Sequence, residues 1–152
     1  MSQSTDGQLC YGILFEEGYE FPWGEEDPED WYDKVRGFKS TYYSQIYTPE
    51  GEYLNGKKPS KDLFDKHFDE EREFKKLHPM PFELVNYCSG DYPMYILAIP
   101  STVKSASRGY PEVIDFKEIV FPPDELGAFK DFCNTHGFDA MEAKWYLSSY
   151  CG

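Results

Sequence analysis

Two apolar, β-prone runs, residues 82–88 (FELVNYC) and 93–99 (PMYILAI), are separated only by Ser89-Gly90-Asp91-Tyr92. So short a link cannot cross over to a parallel neighbour, so the pair reads as an antiparallel hairpin. The second run is almost wholly apolar, which places it in the middle of a sheet. The other segments do not alternate in regular β-α-β order. Together these features predict an α+β fold, a largely antiparallel sheet packed with about three helices, rather than a doubly wound one.

The remaining elements follow from periodicity and punctuation. Residues 1–7 read as a flexible N-terminal tail, and 8–152 as a single α+β domain, a normal size for this length. Residues 8–15 (QLCYGILF) form a first strand, with Leu9, Tyr11, Ile13 and Phe15 on one face. Asp27-Pro28-Glu29-Asp30 is a helix start, with Asp27 as N-cap and Pro28 at the first helical position. Trp31, Val35 and Phe38 then recur at helical spacing and predict a buried face. Residues 41–47 (TYYSQIY) are β-prone, and turn residues at 49–52 and 56–59 predict a hairpin-like excursion. Ser60 opens the clearest helix, to about Leu77, with Leu63, Phe64, His67, Phe68, Phe74 and Leu77 as its apolar stripe. Residues 100–111 read as a polar loop with room for a short strand, and 112–121 as a strand. A last helix runs from Pro122-Pro123-Asp124 to His136, with Leu126, Phe129, Phe132 and Cys133 inward. Gly137 then serves as its C′ residue, Phe138 folds back, and residues 144–151 (KWYLSSYC) close the chain as a strand.

Charge narrows the function more than any motif does. The net charge is −13, from 28 acidic and 15 basic residues, so direct nucleic-acid or anionic-membrane binding is disfavoured while a basic protein partner suits the chain. The polar start (MSQSTDGQ) reads as no signal peptide, and no apolar run is long enough to span a bilayer. Cys10, Cys88, Cys133 and Cys151 form no CxxC pair, which reads as four reduced thiols, mostly buried, in a cytoplasmic protein. In an oxidising compartment they would allow two disulfides in three connectivities.

No nucleotide-binding glycine loop and no nucleophile elbow is present, so no catalytic residue and no cofactor is assigned. Lys104 and Arg108, among the hydroxyls of 101–108 (STVKSASR), could hold one phosphate or sulfate, against the plainer reading of a solvated loop. Cys133 and His136 stand three apart, but a zinc site needs further ligands that the spacing does not supply, so no metal is expected. Cys88 in the hairpin loop would be nucleophilic only with a histidine beside it; the plainer reading is a turn with Gly90 at positive φ and Asp91 bonding the backbone.

One anomaly remains. Residues 16–33 carry nine acidic side chains and no basic one, interleaved with Tyr19, Phe21, Trp23, Trp31 and Tyr32. Rings that anchor and charges that steer suit docking onto a basic protein surface, with a mimic of the DNA phosphate array as one version. The residues expected to make that contact are Glu20, Trp23, Glu25, Glu26, Asp27, Glu29 and Asp30. The competing expectation is a solvated helix start beside a core-entering aromatic segment. A small-molecule binder or small enzyme using residues 89–110 is the alternative function.

Residues 88–100 (CSGDYPMYILAIP) and 144–152 (KWYLSSYCG) resemble uncharacterised proteins of tailed bacteriophages and prophages. The resemblance covers the C-terminal half and brings no catalytic signature. It implies an accessory protein acting in a bacterial host cytoplasm, of a class that often inhibits host or defence factors.

Overall fold

The structure is a computed structural model that describes residues 5–120 and 122–151. The chain divides into two compact units, Met1–Gly24 with Pro81–Gly152, and Glu25–Met80.

The first unit is built on five strands: β1 (Thr5–Phe15), β2 (Glu83–Ser89), β3 (Pro93–Ala98), β4 (Lys104–Ser107) and β5 (Lys144–Cys151). All pairings are antiparallel except the short β2–β5 seam, so the expected α+β class with a largely antiparallel sheet is what forms. β1 pairs with β5 along one edge, and with β4 and then β3 along the other. Because β2 pairs with both β3 and β5, the ladder closes into a ring, β1–β3–β2–β5 and back to β1.

Thr5–Gly7, within the flexible tail expected over 1–7, instead pair with β5. Residues 1–4, and Phe121 at the end of the expected fourth strand, lie outside the described residues.

The ring explains two small residues. Gly12 sits opposite Ala98 where β1 curls against β3, and a Cβ built on Gly12 would lie 2.2 Å from the Leu97 carbonyl oxygen. Only glycine permits that approach. Just beyond, β3 leaves the ladder for a 3-10 turn (Pro100–Thr102) before β4 rejoins β1. Thr102, fully buried, fills the gap: its Oγ1 accepts from Tyr11 N–H at 3.0 Å and donates to Ile99 O at 2.6 Å. A side chain thus completes a ladder that the backbone interrupts.

Both faces of β1 are covered. Cys10, Val85, Ile96 and Ala98 form the core inside the ring, flanked by Tyr87, Val103 and Tyr146. On the other face, Ile13, Phe15 and Leu97 are buried in a second layer with Trp23, Phe82, Phe132 and Phe138. Phe132 belongs to the helix Pro123–His136, where the sequence placed it, with Phe129 and Cys133 buried beside it. Gly137 ends that helix at φ 80°, and Phe138 N–H returns to Cys133 O at 2.9 Å, which turns the Phe138 ring back onto Phe132.

The second unit is helical: α1 (Pro28–Val35), α2 (Tyr43–Ile46) and α3 (Lys61–Leu77); the helix Pro123–His136 of the first unit is then α4. Asp27 caps α1, accepting from Glu29 N–H at 2.9 Å and Asp30 N–H at 3.2 Å. The apolar face expected of α1 is only half covered; Phe38 stacks on Phe74 at 3.8 Å, whereas Val35 is 49% exposed. α3 starts at the Ser60 cap as expected, but of its stripe only His67 is buried and Leu77 is 74% exposed. Residues 43–46 are helical rather than extended. The excursion survives as one antiparallel bridge, Tyr47 to Tyr53, around a turn with Gly51 at φ 86°.

Candidate functional site

The sequence pointed first to residues 16–33. That run is divided between the units: Glu16, Glu17 and Glu20 are exposed in the first, and Glu25–Asp33 open the second. Much of its charge is already engaged. Glu26 pairs with Lys34, Glu29 with Lys75 at 2.9 Å, and Asp33 with Arg36 at 2.5 Å. The Asp27 carboxylate is the α1 cap. Hydrogen bonding to Glu26 and Glu29 raises Lys34 and Lys75 above the usual lysine range. Partial burial, and after it the charges of Asp27, Asp33, Glu29 and Glu26, raises Asp30 above the usual carboxylate range. Glu25 and Asp30 stay exposed.

Trp23 is a correction. It is 6% exposed, stacked between Phe21 at 4.7 Å and Phe82 at 5.7 Å. Such a ring is a core member and cannot anchor a partner. Tyr19 and Phe21 extend the same cluster, each within 5 Å of Phe15. Of the aromatics of 16–24, Trp23 is buried in the core, Phe21 is half-buried against it, and Tyr19 stays 45% exposed.

The anion-binding pair is placed on and just after β4. Lys104 is half-buried opposite Leu9, and Arg108 is exposed beyond the strand end. The hairpin turn at 89–92 joins β2 to β3, and β5 and β1 stand between β2 and β4 in the strand order. In that turn the positive φ falls on Cys88, at 75°, not on Gly90. The turn bond runs from Tyr92 N–H to Ser89 Oγ at 3.2 Å, rather than to Asp91.

The thiols divide two and two: Cys10 and Cys133 are buried, Cys88 is exposed and Cys151 half-buried. Burial, reinforced by Glu83, pushes the Cys10 thiol up to about 11; burial, reinforced by Asp139, pushes Cys133 up to about 12. Neither is a nucleophile near neutral pH. Burial also lowers His136 below the usual histidine range. Among the described residues, no three His, Cys, Asp or Glu gather as metal ligands, and no helix is long and apolar enough to cross a membrane.

A different segment carries the most unusual surface. Between β4 and α4, Val113 is 92% exposed, Phe116 88%, Tyr110 75% and Val120 65%. Residues 112–120 are not the expected strand. They lack a ladder partner, and the local order is a 3-10 turn at Phe116–Glu118. A capping box holds that turn: Lys117 N–H donates to Asp115 Oδ1 at 3.2 Å, and Asp115 N–H to Glu118 Oε2 at 3.3 Å. The backbone of 115–118 is thus held while the Phe116 side chain it carries faces solvent. Asp115 and Glu118, three apart, were the signal that β-propensity hid.

Glu70 organises the second unit. Its carboxylate accepts from Thr41 Oγ1 at 2.8 Å, Thr41 N–H at 3.1 Å and Ser40 Oγ at 3.2 Å. These bonds, those of Thr41 foremost, hold it below the usual carboxylate range. The folded-state value is depressed, so its stabilisation is full above the ordinary carboxylate value and is lost as pH falls through the lowered one. Glu70→Gln is expected to lower the melting temperature at pH 7. The gap to the parent should shrink on acidification below the carboxylate range. A gap constant with pH in paired thermal melts would remove the carboxylate from this role.

Comparison of the chain with protein-family models, with curated proteins and with solved structures finds no match in any of the three.

Proposed function

We propose that this protein is a protein-binding module whose partner offers an apolar recess rimmed by basic groups. The observation that carries the reading is the exposed segment at 110–120. Phe116 is held out on the capped turn and so costs little further ordering on binding, and Tyr110, Val113 and Val120 extend the exposed apolar surface around it. Glu112, Asp115 and Glu118 border them, and the chain as a whole is at −13, so a basic surface is steered in. The same charge makes a second copy of this chain a poor occupant.

This reading keeps the basic partner suggested by composition and moves the contact away from Trp23. The ion pairs of Glu26, Glu29 and Asp33 count against a phosphate-array mimic in that stretch, because paired carboxylates are unlike a row of bare phosphates. Glu16, Glu17, Glu20, Glu25 and Asp30 remain as steering charges. The phage resemblance would set the partner in a bacterial host, with inhibition as the consequence of docking.

The test is capture from bacterial lysate at low and high salt, by the parent and by a Val113→Ala, Phe116→Ala variant. The variant is expected to keep its melting temperature and to lose affinity for the captured protein roughly tenfold or more. High salt should release that protein from the parent. Equal capture by both forms would reject the segment as the contact.

A further inference from the structure

We propose that residues 110–114 form a strap that closes onto the free edge of β4 as a sixth strand. Closure is a property of the free chain; only its bearing on docking rests on the reading above.

Bonds on β1 fix which way the β4 backbone points. Ile99 N–H donates to Tyr11 O at 3.0 Å, and Tyr11 N–H donates to Thr102 Oγ1 at 3.0 Å, so the backbone groups of Tyr11 point to the β3–β4 side. That direction alternates along a strand, and β1 pairs with β5 without a bulge from Thr5 to Gly12. Leu9 and Gly7 therefore point to β4 as well, and their partners Lys104 and Ala106 point back to them. Ser105 and Ser107 are left facing the other way. Among the described residues, no strand pairs with that edge.

The chain supplies an occupant. Ser107 O accepts from Tyr110 N–H at 2.9 Å, which is the first rung of a hairpin around Arg108 and Gly109. Continuing that register sets Pro111 opposite Ala106, Glu112 opposite Ser105, Val113 opposite Lys104 and Ile114 opposite Val103. The free N–H and C=O of Ser105 then meet those of Glu112. Pro111, which has no N–H to offer, falls where an N–H would point to solvent. Ile114 comes to lie beside Val103, at the flank of the core inside the ring. The capped turn at Phe116–Glu118 begins just beyond and needs no change.

The turn itself holds the strap open. Gly109 is at φ 82° while Arg108 is not at positive φ, which is the type II pattern, and its twist splays the strands on either side. The ladder accordingly stops after one rung, and residues 111–115 lie in no strand. Closure moves Val113 onto the sheet beside Lys104 and leaves Phe116 outside, so it sets how much apolar surface a partner meets.

The experiment traps the closed form in the full chain, in a Cys88→Ser, Cys151→Ser background that leaves only the buried Cys10 and Cys133. Lys104→Cys with Val113→Cys makes a non-hydrogen-bonded antiparallel pair, a spacing that suits a disulfide. With oxidised glutathione it is expected to cross-link roughly tenfold faster than Lys104→Cys with Glu112→Cys or with Ile114→Cys, whose second thiol alternation puts on the opposite face. A second measurement leaves all cysteines in place. Arg108→Asn sets Asn before Gly109, the pair that favours a type I′ hairpin turn. Hydrogen exchange at the Glu112 amide should then slow roughly tenfold or more, with the Val113 amide unchanged. Equal trapping of the three pairs, or an unprotected Glu112 amide in Arg108→Asn, would overturn the proposal. Neither readout involves a partner, so a failure of docking and a failure of closure are told apart.

Discussion

Gly12→Ala is expected to lower the melting temperature by roughly 10 °C, from a destabilisation of about 3 kcal/mol. The added methyl would meet the Leu97 carbonyl oxygen at 2.2 Å, the Ala98 Cα at 2.7 Å and the Leu97 carbonyl carbon at 2.8 Å. All three are backbone atoms, so no side chain can swing away. β3 cannot retreat either, because β2 pairs along its other edge. Relief would require opening the β1–β3 pairing at its tightest point, which also disturbs the Ile99 N–H to Tyr11 O bond beside it. Thermal melts followed by circular dichroism measure the effect. Gly7→Ala is the matched control: it lies on the same strand, and its nearest non-neighbour atom would be 3.9 Å from the new methyl. A Gly12→Ala protein as stable as that control would show that β1 and β3 are not so closely joined.

Trp23→Ala is expected to cost about 3–5 kcal/mol, the range for removing a buried large aromatic ring. Its ring lies parallel to both Phe21 and Phe82, at interplanar angles of 10° and 7°, and reaches Phe138 at 6.3 Å. Deletion leaves a void between β2 and the segment that follows β1, lined by rings that cannot all collapse into it. Trp23→Phe should recover part of the loss. The measurement also separates two roles for the acidic-aromatic run. A core member lowers the melting temperature, whereas a docking anchor lowers affinity and leaves stability intact. Unchanged stability with lost binding would return Trp23 to the surface.

Local chemistry accounts for what was legible in advance. The β2–β3 hairpin, the Asp27 and Ser60 caps, and the Gly137 turn each depend on a few neighbouring residues, and each appears where the sequence placed it. Residues 43–46 and 112–120 were misread for one reason. β-propensity states how well a side chain suits a pleated surface, and neither segment found a strand to pair with. The stripes of α1 and α3 predicted burial that came only in part, since periodicity marks a face but not what covers it.

By itself, then, the sequence determined the α+β class, the central hairpin, the helix ends and the acidic balance, because propensity, capping and net charge are local or summed properties. Tertiary structure alone decided the rest. It closed the strands into a ring, made Gly12 indispensable, turned Trp23 inward, paired Glu26 and Glu29 with lysines, left Val113 and Phe116 outside, and joined β2 to β5 at a parallel seam two residue pairs long. Most of these are relations between residues well separated in the chain. Within the first unit, the register of β1 against three partners and the seam of β2 with β5 specify the ring and the close approach at Gly12.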